Sequence, residues 1–193
     1  GVAAWAGTGS FALACSASGE LFRTGGRGHL LGDPLSGHAL VRGAARAALR
    51  AYDGVAAPTS LGDRLVEATG AARLSNLPAS LQRLAPAELA RFAPQVVAAA
   101  TDGDTVAQTL IRDEAERLAE LIRSAAVRAD QSATTCRVGG GVLTGSALVR
   151  DALSDALGAT ESLRLVACDG ARAAAQLARW VHDGTMPMAG WVR

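Results

Sequence analysis

The residues best placed to do chemistry in this chain are Thr8, Arg27 and Asp33, each set among glycines. They lie in Gly7-Thr8-Gly9-Ser10 and in Thr24-Gly25-Gly26-Arg27-Gly28-His29-Leu30-Leu31-Gly32-Asp33. Glycine at that density marks backbone that takes positive φ or lets another group come close. Exposed amide N–H groups and the Thr8 hydroxyl could then donate to phosphate oxygens. The same Gly and Ser content equally suits a plain hairpin turn. No Lys-Ser/Thr follows, so the motif is not a P-loop. Asp33 offers a carboxylate that accepts hydrogen bonds from sugar hydroxyls. Its place just before a helix also suits an N-cap.

A third glycine group, Gly139-Gly140-Gly141, stands at a strand end and leads through Gly145-Ser146 into a helix. That is where an α/β fold receives ligands, although the third glycine of a dinucleotide fingerprint is missing. His29 and His38 have no evident carboxylate or nucleophile partner in sequence and read as structural. Cys15, Cys136 and Cys168 are odd in number and dispersed, with no CxxC or Cys/His spacing. They read as small buried residues in a reducing compartment, with no metal site.

The elements that must position these residues come next. Val2 to Ala6, Phe11 to Ser16 and Leu21-Phe22-Arg23 are short apolar runs bounded by Gly and Ser, the pattern of an antiparallel meander. From Ser36 the period becomes helical, with Leu40, Val41, Ala44, Ala48 and Leu49 on one face and Arg42, Arg46 and Arg50 on the other. Asp53-Gly54 ends that helix. Thr59 or Ser60 caps the next, which runs to Gly70. Residues 71–129 carry little β signal and read as a helical insertion, divided by Pro78, Pro86, Pro94 and the Thr101-Asp102-Gly103-Asp104 turn. Its last helix runs from about Val106 to Arg128, with Asp113, Glu114, Arg117, Glu120 and Arg123 outside on a solvated face. Strand-helix-strand-helix follows: Thr134 to Gly139, a helix through Leu157, Leu163 to Ala167, and a helix from Asp169 to Val181. The fold class is therefore α/β, a three-strand meander plus two strand-helix units in one mixed sheet, with helices over both faces.

At 193 residues the chain suits one domain with a real core. A net charge of +1 gives no field that points to nucleic acid or a membrane surface. No run approaches the roughly 18 apolar residues of a membrane helix, and no signal-peptide pattern appears, so a cytoplasmic location is expected. All 19 strongly basic residues are Arg, which leaves no lysine for a Schiff base or an ammonium clamp. The apolar run directly at Gly1 reads as an excerpt from a longer protein.

In order and spacing, Ala6-Gly7-Thr8-Gly9-Ser10 followed by Gly25-Gly26-Arg27-Gly28-His29-Leu30-Leu31-Gly32-Asp33 resembles the N-acetylglucosamine kinase family. That family sits with the benzoyl-CoA-reductase-activator-type ATPases, in the superfamily of actin, hexokinase and heat-shock chaperone ATPases. The resemblance continues through Arg91-Phe92-Ala93, Gly140-Gly141-Val142 and Gly170-Ala171. It implies a ribonuclease H-like domain, the C-terminal lobe of a two-lobed sugar kinase, over residues 1–193. The helical insertion would match the family's added helices around the nucleotide.

On that resemblance, ATP with Mg2+ would meet Gly7, Thr8, Gly9, Ala93, Gly140, Gly141 and Gly145. The sugar would meet Gly26, Arg27, Gly28 and Asp33. The implied reaction takes N-acetylglucosamine to its 6-phosphate, with the catalytic Asp supplied by an N-terminal lobe that these residues do not include. The implied partners are the sugar, that lobe and, as one option, a second copy in a homodimer. The excerpt alone is expected to fold but not to transfer phosphate. The family usually carries Trp in place of Arg27 and Glu-Gly in place of Pro34-Leu35, which keeps open an alternative, an ATP-hydrolysing switch that phosphorylates no sugar. A cluster-bearing activator finds no support in three dispersed cysteines.

Overall fold

The computed structural model describes residues 1–131, 135–158 and 163–165, together with residues 175, 178, 179, 182 and 183. The expected helix from Asp169 to Val181 lies almost wholly outside the described residues. Thr134, Val166, Ala167, Cys168, Gly170, Ala171 and the tail after Asp183 lie outside them too.

A five-stranded sheet forms the base of the fold. Its strands are β1 (Val2–Ala6), β2 (Ser10–Cys15), β3 (Leu21–Gly25), β4 (Cys136–Gly139) and β5 (Leu163–Leu165), in the order β3-β2-β1-β4-β5. The first three run antiparallel, with Ala4 opposite Ala12 and Ala12 opposite Thr24. β4 lies parallel to β1, and β5 parallel to β4. This is the expected mixed sheet, with β2 starting at Ser10, one residue early. Alternation sets which side is buried: Val2, Ala4, Ala6, Ala12 and Ala14 face inward while Ala3 and Trp5 stay exposed.

Between β3 and β4 the chain is helical, as the scarcity of β signal suggests. The helices are α1 (Gly37–Tyr52), α2 (Leu61–Thr69), α3 (Leu77–Gln82), α4 (Pro86–Ala90), α5 (Ala93–Thr101) and α6 (Thr105–Arg128), with one 3-10 turn at Leu74–Asn76. α7 (Gly141–Gly145) and α8 (Ala147–Leu157) follow β4. α6 covers the inner side of the sheet with Ala115, Leu118, Ala119, Ile122 and Ala125, all buried. Alanine on both the strands and the helix lets the two layers approach closely.

Caps fix where the helices begin. Ser36, not Asp33, caps α1: its hydroxyl accepts the Ala39 N–H at 3.1 Å. α2 is started differently from the sequence expectation. Ser60 holds the N-cap position without a side-chain cap bond, and both it and Thr59 are instead tied to Asp104. Asp104 caps α6 with its other oxygen, accepting from Val106 and Ala107 at 3.0 Å each. One carboxylate thus joins the starts of two helices.

Candidate functional site

The link between β1 and β2 is a tight turn, closed by the Gly7 N–H donating to the Gly9 carbonyl at 2.9 Å. Thr8 projects from it, exposed. Three bonds fasten this turn and the start of β2 to the second glycine stretch and the Pro34–Gly37 segment that follows it. The Gly26 N–H donates to Ser10 O at 3.0 Å, the Gly37 N–H to Gly7 O at 2.7 Å, and the Ser10 hydroxyl to Pro34 O at 2.5 Å. Gly9 is required for contact: a Cβ there would sit 2.6 Å from Asp33 Oδ2.

Asp33 and Leu35 both take positive φ, 60° and 58°. Each costs on the order of 1–2 kcal/mol in backbone conformation. Burial of the whole Leu35 side chain offsets this, as does a hydrogen bond from the Leu35 N–H to Glu114 Oε2 at 3.0 Å. Asp33 itself is buried, and its Oδ1 has no hydrogen-bond partner. On the first turn of α1, His38 packs its ring 4.7 Å from that of His29, and its Nδ1 is buried without a partner. Burial lowers the His38 pKa, the neighbouring His29 and Arg42 lower it further, and Asp33 opposes them.

Two clefts flank this knot of loops. The first, of about 630 Å³, brings Gly7, Thr8, Ala93, Gly141 and Gly145 together, with Arg91 and Val97 of the α4–α5 region as the opposite wall. Gly9 and Gly140 do not line it. Gly9 backs onto Asp33, while Gly140, at φ +91°, packs directly against the Ala6 backbone and turns β4 into α7. No Cβ-sized obstacle lies within 4 Å of Gly141 or Gly145, so the floor of this cleft stays open.

The second cleft, of about 930 Å³, is lined by Arg27 and Asp33, by Arg42, Arg46 and Arg50 of α1, and by Glu114, Arg117 and Glu120 of α6. Gly26 and Gly28 do not line it but set the backbone on either side of Arg27, both with positive φ. Residues of the helical insertion line both clefts, α4–α5 the first and α6 the second.

Glu114 departs from the sequence expectation. Placed on a solvated face by its charged neighbours, it is buried, held by the Leu35 N–H and by Arg117 Nη1 at 2.6 Å. Its partner at Leu35 is 79 residues away, so only the i,i+3 pair with Arg117 was visible in the sequence. The His29–His38 contact, between residues nine apart, was missed because the turn that folds one ring onto the other leaves no periodic pattern. Among the described residues no group of three His, Cys, Asp or Glu side chains could hold a metal ion, and no helix is long and apolar enough to cross a membrane.

Comparison with known proteins matches residues 1–176 to the model of the BadF/BadG/BcrA/BcrD ATPase family. No curated protein matches the chain. Among solved structures, a proposed N-acetylglucosamine kinase from Chromobacterium violaceum is similar at 27% identity and a TM-score of 0.71, over 84% of this chain and 54% of its own. A proposed N-acetylglucosamine kinase from Porphyromonas gingivalis is similar at 19% identity and 0.69, over 94% and 61%. A glucokinase of the ROK family from Streptomyces griseus, solved with glucose and AMPPNP, follows at 16% identity and 0.50, over 85% and 54%. The chain thus spans little more than half the length of these proteins.

Proposed function

The chain belongs to the BadF/BadG/BcrA/BcrD ATPase family, within the actin-like ATPase superfamily and with a ribonuclease H-like fold, and on that premise we propose that it is the C-terminal lobe of an ATP-dependent amino-sugar kinase. The acceptor in this reading is N-acetylglucosamine and the product its 6-phosphate. One observation carries the proposal. The Asp33 carboxylate packs against Gly9, next to Thr8, so the loop that reaches the first cleft and the carboxylate that lines the second touch each other. Phosphoryl transfer needs that adjacency, because positioning provides most of its catalysis.

Nucleotide suits the first cleft in this reading: it is large enough, its glycine floor is unobstructed, and Thr8, which lines it, is exposed. Bound ATP supplies the γ-phosphoryl group. Thr8 donates to its phosphates, Gly141 and Gly145 admit the nucleotide against the backbone, and Ala93 bounds the opposite wall. Mg2+ would arrive coordinated by those phosphates. In the second cleft Asp33 Oδ1, buried and unpaired, accepts a sugar hydroxyl, and Arg27 covers the ring from the glycine loop. The base that deprotonates the attacking hydroxyl belongs in this reading to an Asp of an N-terminal lobe, and these residues form one wall of a site between lobes. A homodimer and a cytoplasmic setting belong to the same reading.

Sugar-dependent ADP release by the protein with both lobes, measured over a panel of hexoses and amino sugars, tests it. Release with N-acetylglucosamine above the others is the expected result. Nucleotide binding with no sugar binding would instead favour the switch reading, which the Arg27 guanidinium inside the second cleft keeps in play.

A further inference from the structure

The peptide unit between Pro34 and Leu35 is gripped at both ends by elements far from it in sequence. Its carbonyl accepts from the Ser10 hydroxyl at the start of β2, and its N–H donates to Glu114 in the middle of α6. Leu35, on one side of that plane, has positive φ, and so has Asp33, the residue before Pro34 on the other side. A non-glycine residue holds such a conformation only where its surroundings over-determine it. Pro34 has no N–H to contribute, so the plane between it and Leu35 is where the turn is fixed.

We propose that Glu114 is a positioning residue for the acceptor cleft: by holding the Leu35 amide it keeps the Asp33 carboxylate turned toward the ligand. This rests on reading that cleft as the sugar site. The pair with Arg117 alone does not explain Glu114. Arg117 is more than half exposed, and an exposed i,i+3 pair needs no buried carboxylate. What burial does provide is a fixed acceptor for an N–H that nothing else in the turn can reach. Glu114 acts through Leu35 and Asp33, and the Ser10 grip makes the nucleotide-side loop the other jaw of the same clamp.

Two substitutions test this in the protein with both lobes. Glu114→Gln retains a carbonyl oxygen for the Leu35 N–H, while Glu114→Leu removes the acceptor. Calorimetric titration with N-acetylglucosamine should give a dissociation constant within about threefold of the parent for E114Q and at least tenfold weaker for E114L. AMPPNP affinity should stay within about twofold in both. Hydrogen exchange at the Leu35 amide should quicken at least tenfold in E114L and stay slow in E114Q. Unchanged Leu35 exchange in E114L overturns the proposal, as does equal sugar affinity in all three proteins. Parallel loss of sugar and AMPPNP binding in a folded E114L also overturns it, since it marks a merely structural role. A parent protein that binds no sugar sinks the kinase reading instead, and the exchange result then judges the clamp by itself.

Discussion

The rings of His29 and His38 lie 4.7 Å apart and tilted by 60°, two imidazoles brought together from the glycine loop and the first turn of α1. Charging the His38 ring there costs its burial and places a cation beside His29 and Arg42, with Asp33 acting in the opposite direction. The folded protein therefore keeps His38 neutral at a pH where the unfolded chain protonates it.

The sign follows from that. With the folded pKa below the ordinary 6.5, the unfolded state binds more protons as pH falls through that value, so stability decreases. The melting temperature should be lower at pH 5.5 than at 7.5, and His38→Gln should flatten that dependence. Equal slopes for parent and H38Q in thermal melts across this range would contradict the account.

Asp104 gives a second, separate pH effect. Burial by itself would raise its pKa, but hydrogen bonds from Ala107, Thr59 and Ser60 outweigh this and hold it at about 2. Its contribution is present above the ordinary carboxylate pKa and disappears as pH falls toward 2. Asp104→Ala should destabilise the protein by about 1–2 kcal/mol at pH 7, as the loss of a strong cap does, and by much less near pH 2. Chemical denaturation at the two pH values measures the difference.

The glycines of the β4–α7 turn should separate fold from binding. Gly140→Ala meets the Ala6 backbone at a positive φ and should cost about 3 kcal/mol or more. Gly141→Ala meets nothing within 4 Å and should leave the melting temperature within a degree or two. It should still weaken AMPPNP binding, because the added methyl projects where the nucleotide is proposed to lie. Titration and melting of the two variants side by side checks this.

Thr8→Val removes an exposed hydroxyl at nearly constant volume. Stability should change by less than about 0.5 kcal/mol. AMPPNP affinity should fall roughly tenfold, the loss of one hydrogen bond to a charged group. Unaltered affinity by calorimetry would remove Thr8 from the phosphate site.

Local patterns were legible and long-range contacts were not. The strands of the antiparallel meander and the arginine stripe at Arg42, Arg46 and Arg50 both appear in the structure as read. So does the Asp102-Gly103 turn before α6. The period-two burial of Val2, Ala4 and Ala6, by contrast, was hidden within a uniformly apolar run. Gly7, Thr8, Ala93, Gly141 and Gly145 share one cleft, though 138 residues separate the first from the last. Glu114 escaped because a carboxylate among Asp113, Glu116 and Arg117 has the same signature whether its partner is water or the Leu35 amide. Asp33 suited an N-cap by residue type, but its own left-handed backbone and that of Leu35 set the helix start at Ser36, whose hydroxyl takes the cap.

The alanines shared by the sheet and α6 reverse the usual order of harmful mutations. In a core of large side chains the damage comes from truncation, but Ala12, Ala115 and Ala119 have one methyl to lose and no room for another. Ala→Gly there removes little volume, while Ala→Val must push a helix off a strand layer. At these alanines random change is therefore penalised mainly for adding bulk, whereas at the buried Leu118 and Ile122 beside them truncation still does the harm. The sheet-to-helix spacing can widen in evolution only by coordinated exchanges on both layers.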